Sequence, residues 1–163
     1  MRYIKITSPD IENGPGFRVT LWLSGCLVGC PGCHNRESHN FNFGSIVDDE
    51  TLYEIYRKLD KPYIKGLTLS GGNPLDSNID ELIWLIKSVK NKFPEKDILL
   101  YSGYELKDII GTDKERVLEY IDILIDGPFR IKERDTTISF RGSRNQIIWE
   151  KNQDGEFIKS SLN

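Results

Sequence analysis

Short apolar runs recur along the chain, and each breaks into small residues. Arg18 to Leu23 leads into Ser24-Gly25, and Gly66 to Leu69 leads into Ser70-Gly71-Gly72. Asp97 to Tyr101 leads into Ser102-Gly103, and Ile121 to Ile125 leads into Asp126-Gly127. Nearly continuous apolar runs of this length suit strands covered on both faces, as in parallel sheets. Between the runs the apolar period lengthens. Over 48–59, Leu52, Ile55, Tyr56 and Leu59 follow the i, i+3, i+4, i+7 spacing of a helix, with Asp48 or Asp49 as N-cap. Over 77–93, Ile79, Leu82, Ile83, Ile86, Val89 and Phe93 keep the same period, Asn78 stands three before Glu81, and Pro94 stops the run. Two shorter helices are predicted at 105–110, closed by Gly111, and at 114–120.

Strand, loop and helix in repeated alternation imply parallel strands joined by right-handed crossovers. A closed eight-fold barrel takes about 250 residues, and this chain has 163. The expectation is therefore an α/β fold: a single-domain partial (open) α/β barrel with mostly parallel strands, spanning residues 1–163. No repeat, low-complexity stretch or linker interrupts it. Ligands of such sheets bind beyond the carboxyl ends of the strands, and the glycine-containing segments named above lie there.

Composition narrows the function. Charged residues make up 29% and the hydrophobic set 38%, a mixture that builds a core. The net charge of −3 supplies no whole-chain field for nucleic acid or an anionic membrane, so neither is expected as a partner. The first residues lack the apolar stretch of a signal peptide, and no run approaches the ~20 residues of a membrane span. A cytoplasmic location is expected. The most informative count is the smallest: three cysteines, Cys26, Cys30 and Cys33, all in the loop leaving the Arg18 to Leu23 strand. Three cannot pair off completely, and cytosolic thiols are usually reduced, so they read as ligands or reactive groups before they read as disulfides.

Four readings of C-x3-C-x2-C are available. Buried structural cysteines are one, although Gly25, Gly29, Pro31 and Gly32 make the segment a loop rather than a packed face. A zinc site completed by His34 or His39 is another, with spacings that fit no common zinc pattern. A redox Cys30-x-x-Cys33 pair would have no use for Cys26. The fourth is a 4Fe-4S cluster held by three thiolates, with one iron open to a ligand.

The cysteine spacing resembles the signature of the radical S-adenosylmethionine superfamily. Gly71-Gly72-Asn73-Pro74 is similar to that superfamily's Gly-Gly-acid-Pro segment, with Asn73 in place of the acid. Asp10 to Arg18, containing Asn13-Gly14-Pro15-Gly16-Phe17-Arg18, resembles an element of the glycyl-radical-enzyme activating enzymes. Arg141-Gly142-Ser143-Arg144-Asn145-Gln146 resembles the branch that serves class III anaerobic ribonucleotide reductases. Tyr101-Ser102-Gly103-Tyr104 and Ile125-Asp126-Gly127 look like later strand ends of that branch, so the likeness runs from Asp10 to about Trp149.

The resemblance implies a radical-SAM type of barrel holding one 4Fe-4S cluster on Cys26, Cys30 and Cys33, with S-adenosyl-L-methionine on its open iron. It implies reductive cleavage of that cofactor to methionine and a 5′-deoxyadenosyl radical, then hydrogen abstraction from a glycine of the reductase large subunit. Cofactor contacts are expected from Gly32, Cys33, His34, Gly71, Gly72, Asn73, Ser102 and Asp126. No side-chain acid or base is required for the abstraction. With no cysteines left for auxiliary clusters, flavodoxin or ferredoxin is the expected electron donor, and a homodimer is left open. Two alternatives stand: an activase of another glycyl-radical enzyme such as pyruvate formate-lyase, which Cys33-His34-Asn35 favours, and a non-catalytic zinc-binding adaptor. The excess of basic residues between Gly127 and Lys151 reads either as a solvated edge or, with Phe129, Phe140 and Trp149 beside it, as a protein-docking surface.

Overall fold

The computed structural model describes residues 1–163. In chain order the strands are β1 (Arg2–Asp10), β2 (Phe17–Leu23), β3 (Ser45–Ile46), β4 (Ile64–Gly71), β5 (Asp97–Tyr101), β6 (Ile123–Asp126), β7 (Ile147–Lys151) and β8 (Phe157–Lys159). The α-helices are α1 (Asp49–Leu59), α2 (Ile79–Lys92) and the single turn α3 (Leu106–Ile109).

All eight strands join one sheet in the order β3-β1-β2-β4-β5-β6-β7-β8, which does not close on itself. The four predicted strands, β2, β4, β5 and β6, form its parallel centre. The flanking pairings are antiparallel, so the sheet as a whole is mixed. These flanks did not stand out in the sequence because β1, β7 and β8 are half-exposed and carry polar residues among the apolar ones.

α1 begins where Asp48 accepts the Thr51 N–H at 2.9 Å, and the Thr51 hydroxyl stands in return near the Asp48 N–H. α2 begins where Asn78 accepts the Glu81 N–H at 3.1 Å, and it stops one residue before Phe93-Pro94. Of the two later helices one shrinks and the other changes type. The first keeps one turn, and the second is a 3₁₀ helix over Asp113–Tyr120 whose start is capped by Thr112. Gly111 and Thr112 interrupt them before an α-helical ladder can propagate.

The three α-helices and the 3₁₀ helix over Asp113–Tyr120 pack on the same face of the sheet. Val19, Leu21 and Leu23 of β2, Leu67 and Leu69 of β4, Ile98 and Leu100 of β5 and Leu124 of β6 form one core with Leu52, Ile55, Leu82, Ile86, Val89, Ile109 and Val117. Each such buried side chain contributes about 1.5–3 kcal/mol. The alternate residues of the same strands face the other way. There Leu99, Ile123, Ile125 and Ile148 form a small second cluster with Tyr101 and Phe140.

That second face is plugged at its lower end by the turn before β2. Gly14, at φ +125°, lies where a Cβ would stand 2.6 Å from Leu99 and 2.9 Å from Arg18. Asp10 holds this turn by accepting from the Glu12 and Asn13 N–H groups and from the Thr7 hydroxyl. Arg18, with no solvent exposure, donates to Thr68 Oγ1 and Asp97 Oδ1, both at 2.6 Å, and to the carbonyls of Leu67 and Pro15. The polar upper half of the same face is left for a ligand. No helix is long and apolar enough to cross a membrane.

Candidate active site

The parallel register of β2 and β4 sets Leu23 opposite Gly71, so the cysteine loop and the Gly-Gly turn leave the sheet side by side. Backbone bonds continue the ladder past the strand ends: Gly72 N–H donates to Leu23 O at 2.8 Å, and Asn73 N–H donates to Gly25 O at 2.9 Å. This approach is possible only without side chains. A Cβ on Gly72 would lie 2.3 Å from the Gly25 carbonyl oxygen and 2.7 Å from that of Ser38. Gly71, at φ +105°, would place a Cβ 2.3 Å from Leu23 O.

Above these turns lies an open cavity of ≈ 540 Å³. Cys26, Cys30 and Cys33 all line it, together with Gly32, His34, Gly71, Gly72 and Ser102. Two predicted site residues lie elsewhere. Asn73 is buried under the floor, where its Nδ2 donates to Asp76 Oδ2 at 3.0 Å. Asp126 is buried at the end of β6, where it accepts the N–H groups of Leu106 at 2.6 Å and Ile147 at 3.2 Å. Burial raises the Asp126 carboxyl above its ordinary range. Ser102 turns its hydroxyl to the Tyr104 N–H at 2.9 Å.

All three cysteines are free and half-buried. Burial pushes the Cys30 thiol up, and the neighbouring Cys26 and Cys33 push it the same way, while the nearby Phe129 backbone opposes the shift. The Asn35 N–H donates to Cys33 Sγ at 3.4 Å. No three His, Cys, Asp or Glu side chains converge tightly enough to make a ready coordination shell. The thiols share one wall of a cavity instead, on a loop whose Gly29 and Gly32 take positive φ.

The opposite wall is the segment after β6. Phe129, Ile131, Arg134, Phe140, Arg141, Gly142 and Gln146 line the cavity from that side. Ile131 reaches across to Gly32, where a Cβ would meet its Cδ1 at 2.6 Å. The segment is tied down by the Tyr101 hydroxyl, which donates to Phe140 O at 2.8 Å, and burial drives that phenol far above its ordinary pKa. Most of its basic residues are committed internally. Arg130 pairs with Glu105 and Glu133, Arg144 with Asp135, Arg141 binds the C-terminal residues, and Lys151 binds the carbonyls of Leu118 and Glu119. That excess charge is used to fasten the chain.

Sequence reasoning did not find Asp76, Tyr101, Phe129 or Ile131 as parts of the site. Only Tyr101, at a strand end, and Phe129, beside the basic excess, carried any signal. The others belong to the site through contacts between distant segments.

The comparisons with known proteins agree with this geometry. The family model of a 4Fe-4S single cluster domain matches residues 12–149. Over 156 residues the chain is 44% identical to the anaerobic ribonucleoside-triphosphate reductase-activating protein of Enterobacteria phage T4, covering 95% of this chain and 97% of that protein. The protein of the same name from Haemophilus influenzae is 42% identical over 91% of this chain and 97% of its own length. The chain belongs to the family of anaerobic ribonucleoside-triphosphate reductase-activating proteins. The Escherichia coli K12 member is 36% identical over 91% of this chain and 97% of its own length. The matched span of the cluster domain opens at Glu12 and closes at Trp149, so it encloses both cavity walls.

Proposed function

We propose that this chain activates an anaerobic ribonucleoside-triphosphate reductase, using one 4Fe-4S cluster and S-adenosylmethionine to place a radical on a glycine of that enzyme. The observation that carries the reading is the meeting of three free thiols and the Gly71-Gly72 turn in one cavity, beyond the carboxyl ends of parallel strands. The residues fit the group. Three thiolates are the ligand chemistry of an iron-sulfur cluster short of one protein ligand, and the Asn35 N–H is a donor that such a sulfur accepts.

Cys26, Cys30 and Cys33 would hold the cluster. Gly71 and Gly72 would present backbone to the methionine end of the cofactor, close enough because neither carries a Cβ. Gly32 and His34 border the same space, and Ser102 closes it from below. Held there, the cluster and S-adenosylmethionine would supply the electron and the radical chemistry of hydrogen abstraction. The chain's residues orient the cofactor, and the wall of Phe129, Ile131 and Phe140 limits access of water to it. The one-sided helical packing and the unclosed sheet agree with a partial barrel of the radical-SAM type. A flavodoxin or ferredoxin would deliver the electron.

The test is an anaerobic assay for 5′-deoxyadenosine and for a glycyl radical signal, with the reductase present and absent. Cofactor cleavage, and a radical that appears only with the reductase, are the expected results. One zinc per chain after anaerobic purification, with no iron-sulfur absorption, would overturn the reading.

A further inference from the structure

Asp76 lies at the end of the short turn that follows Gly71-Gly72-Asn73, and its side chain is fully shielded from solvent. Its two oxygens collect donors from four segments. Oδ2 accepts the Leu27 N–H of the cysteine loop at 2.8 Å and the Asn73 side-chain amide at 3.0 Å. Oδ1 accepts the Tyr104 hydroxyl, beyond β5, at 2.7 Å and the Lys114 ammonium, from the 3₁₀ helix, at 3.3 Å. Lys114 also lies over the Tyr104 ring, 5.2 Å from its centre.

All four partners are donors, and a carboxylate is the side chain that only accepts. An amide in its place would turn an N–H toward one pair of them. The same arrangement accounts for Asn73. A carboxylate at that position would face the Asp76 carboxylate across the 3.0 Å now bridged by an N–H donor, and like charges so close cannot both stay ionised cheaply. Lys114 supplies the compensating charge that a buried carboxylate requires.

Leu27 directly follows Cys26, and Asn73 directly follows Gly72. We infer that Asp76 is a positioning residue that locks the backbone beside Cys26 to the Gly71-Gly72-Asn73 turn, and so sets the spacing between the cluster and the methionine end of S-adenosylmethionine. It touches neither group. The inference rests on the cluster-and-cofactor reading above.

The test compares Asp76→Ala with the wild-type protein after anaerobic cluster reconstitution. Three quantities are read: iron content, the dissociation constant for S-adenosylmethionine followed by the change it causes in the EPR spectrum of the reduced cluster, and amide hydrogen exchange of Leu27 and Asn73 in the cluster-free chain. The expected result is wild-type iron content, a dissociation constant raised at least tenfold, and faster exchange at both amides. Affinity within twofold of wild type with unchanged exchange overturns the inference. If Asp76→Ala does not fold, Asp76→Asn decides it, with a threefold or greater loss of affinity expected and wild-type affinity refuting it. A wild-type protein that takes up neither cluster nor cofactor sinks the underlying reading, and that failure shows in the wild-type arm alone.

Discussion

Gly72→Ala is the sharpest probe of how the site is assembled. The added methyl would stand 2.3 Å from Gly25 O and 2.7 Å from Ser38 O, both backbone atoms of the cysteine-bearing segment. Ordinary contact for such atoms is roughly 3.5 Å, so the cysteine loop and the Gly-Gly turn must part by about 1 Å. Overpacking of this kind costs about 1–3 kcal/mol, which a folded domain survives. The functional cost is larger, because a displacement of about 1 Å in a reacting geometry lowers rates about 100-fold. The assay is the initial rate of 5′-deoxyadenosine release under anaerobic reduction, normalised to bound iron, with the melting temperature measured on the same samples. Gly111→Ala is the control: nothing lies within 4 Å of its added methyl, and its φ of +83° imposes backbone strain far from the cavity. It should lose about 1–2 kcal/mol of stability and keep its rate per iron. A Gly72→Ala rate within threefold of wild type would refute the claim that this contact sets the site.

Three further outcomes are expected. Cys30→Ala should abolish both the cluster absorption and S-adenosylmethionine cleavage while leaving a soluble protein; retained cleavage would contradict the ligand assignment. Arg18→Met strips a buried pair from Asp97 and Thr68, with an expected loss of about 3–5 kcal/mol, or roughly 6–20 °C in melting temperature for a chain of this size; a shift under 2 °C would count against it. Tyr104 is pushed up to about 12 by burial and then by Asp76. Because its folded pKa lies above the unfolded value of 10, the stability it contributes is complete below pH 10 and is lost as pH rises through about 12. Ultraviolet titration of the tyrosines should show late groups, of which the Tyr104 one moves to lower pH in Asp76→Asn while Tyr101 stays high.

The cysteine loop and the glycine turn were legible early because each depends on a local spacing. Cys26, Cys30 and Cys33 fall within one short loop, and Gly71-Gly72 ends a strand whose apolar run is plain to read. The parallel centre and both long helices followed from period alone, since their burial is nearly complete on the helical face. The antiparallel flanks were not legible. β1, β7 and β8 are half-exposed, so the alternation that marks a strand is blurred by residues such as Lys5, Thr7, Glu150 and Lys151 that face solvent or bond across the sheet.

Asn73 and Asp126 illustrate the limit of motif reading. Both stand beside motif glycines, yet both turn their side chains into the scaffold, because a buried amide or carboxylate at a strand end first satisfies the backbone and side-chain groups around it. The basic excess near the C-terminal end likewise became a set of internal pairs.

By itself, then, the order of residues determined the three-cysteine loop, the strand ends that surround it and the family to which they point, all of which are local in the chain. Tertiary structure alone decided that Asp76 joins Leu27 to Asn73, that Ile131 closes over Gly32 and that Arg18 lies buried under the site. Those contacts bridge residues about 50 to 100 positions apart, or hang on how the turn before β2 folds back beneath the sheet. Their partners are fixed by strand order and register, which only the packed sheet specifies.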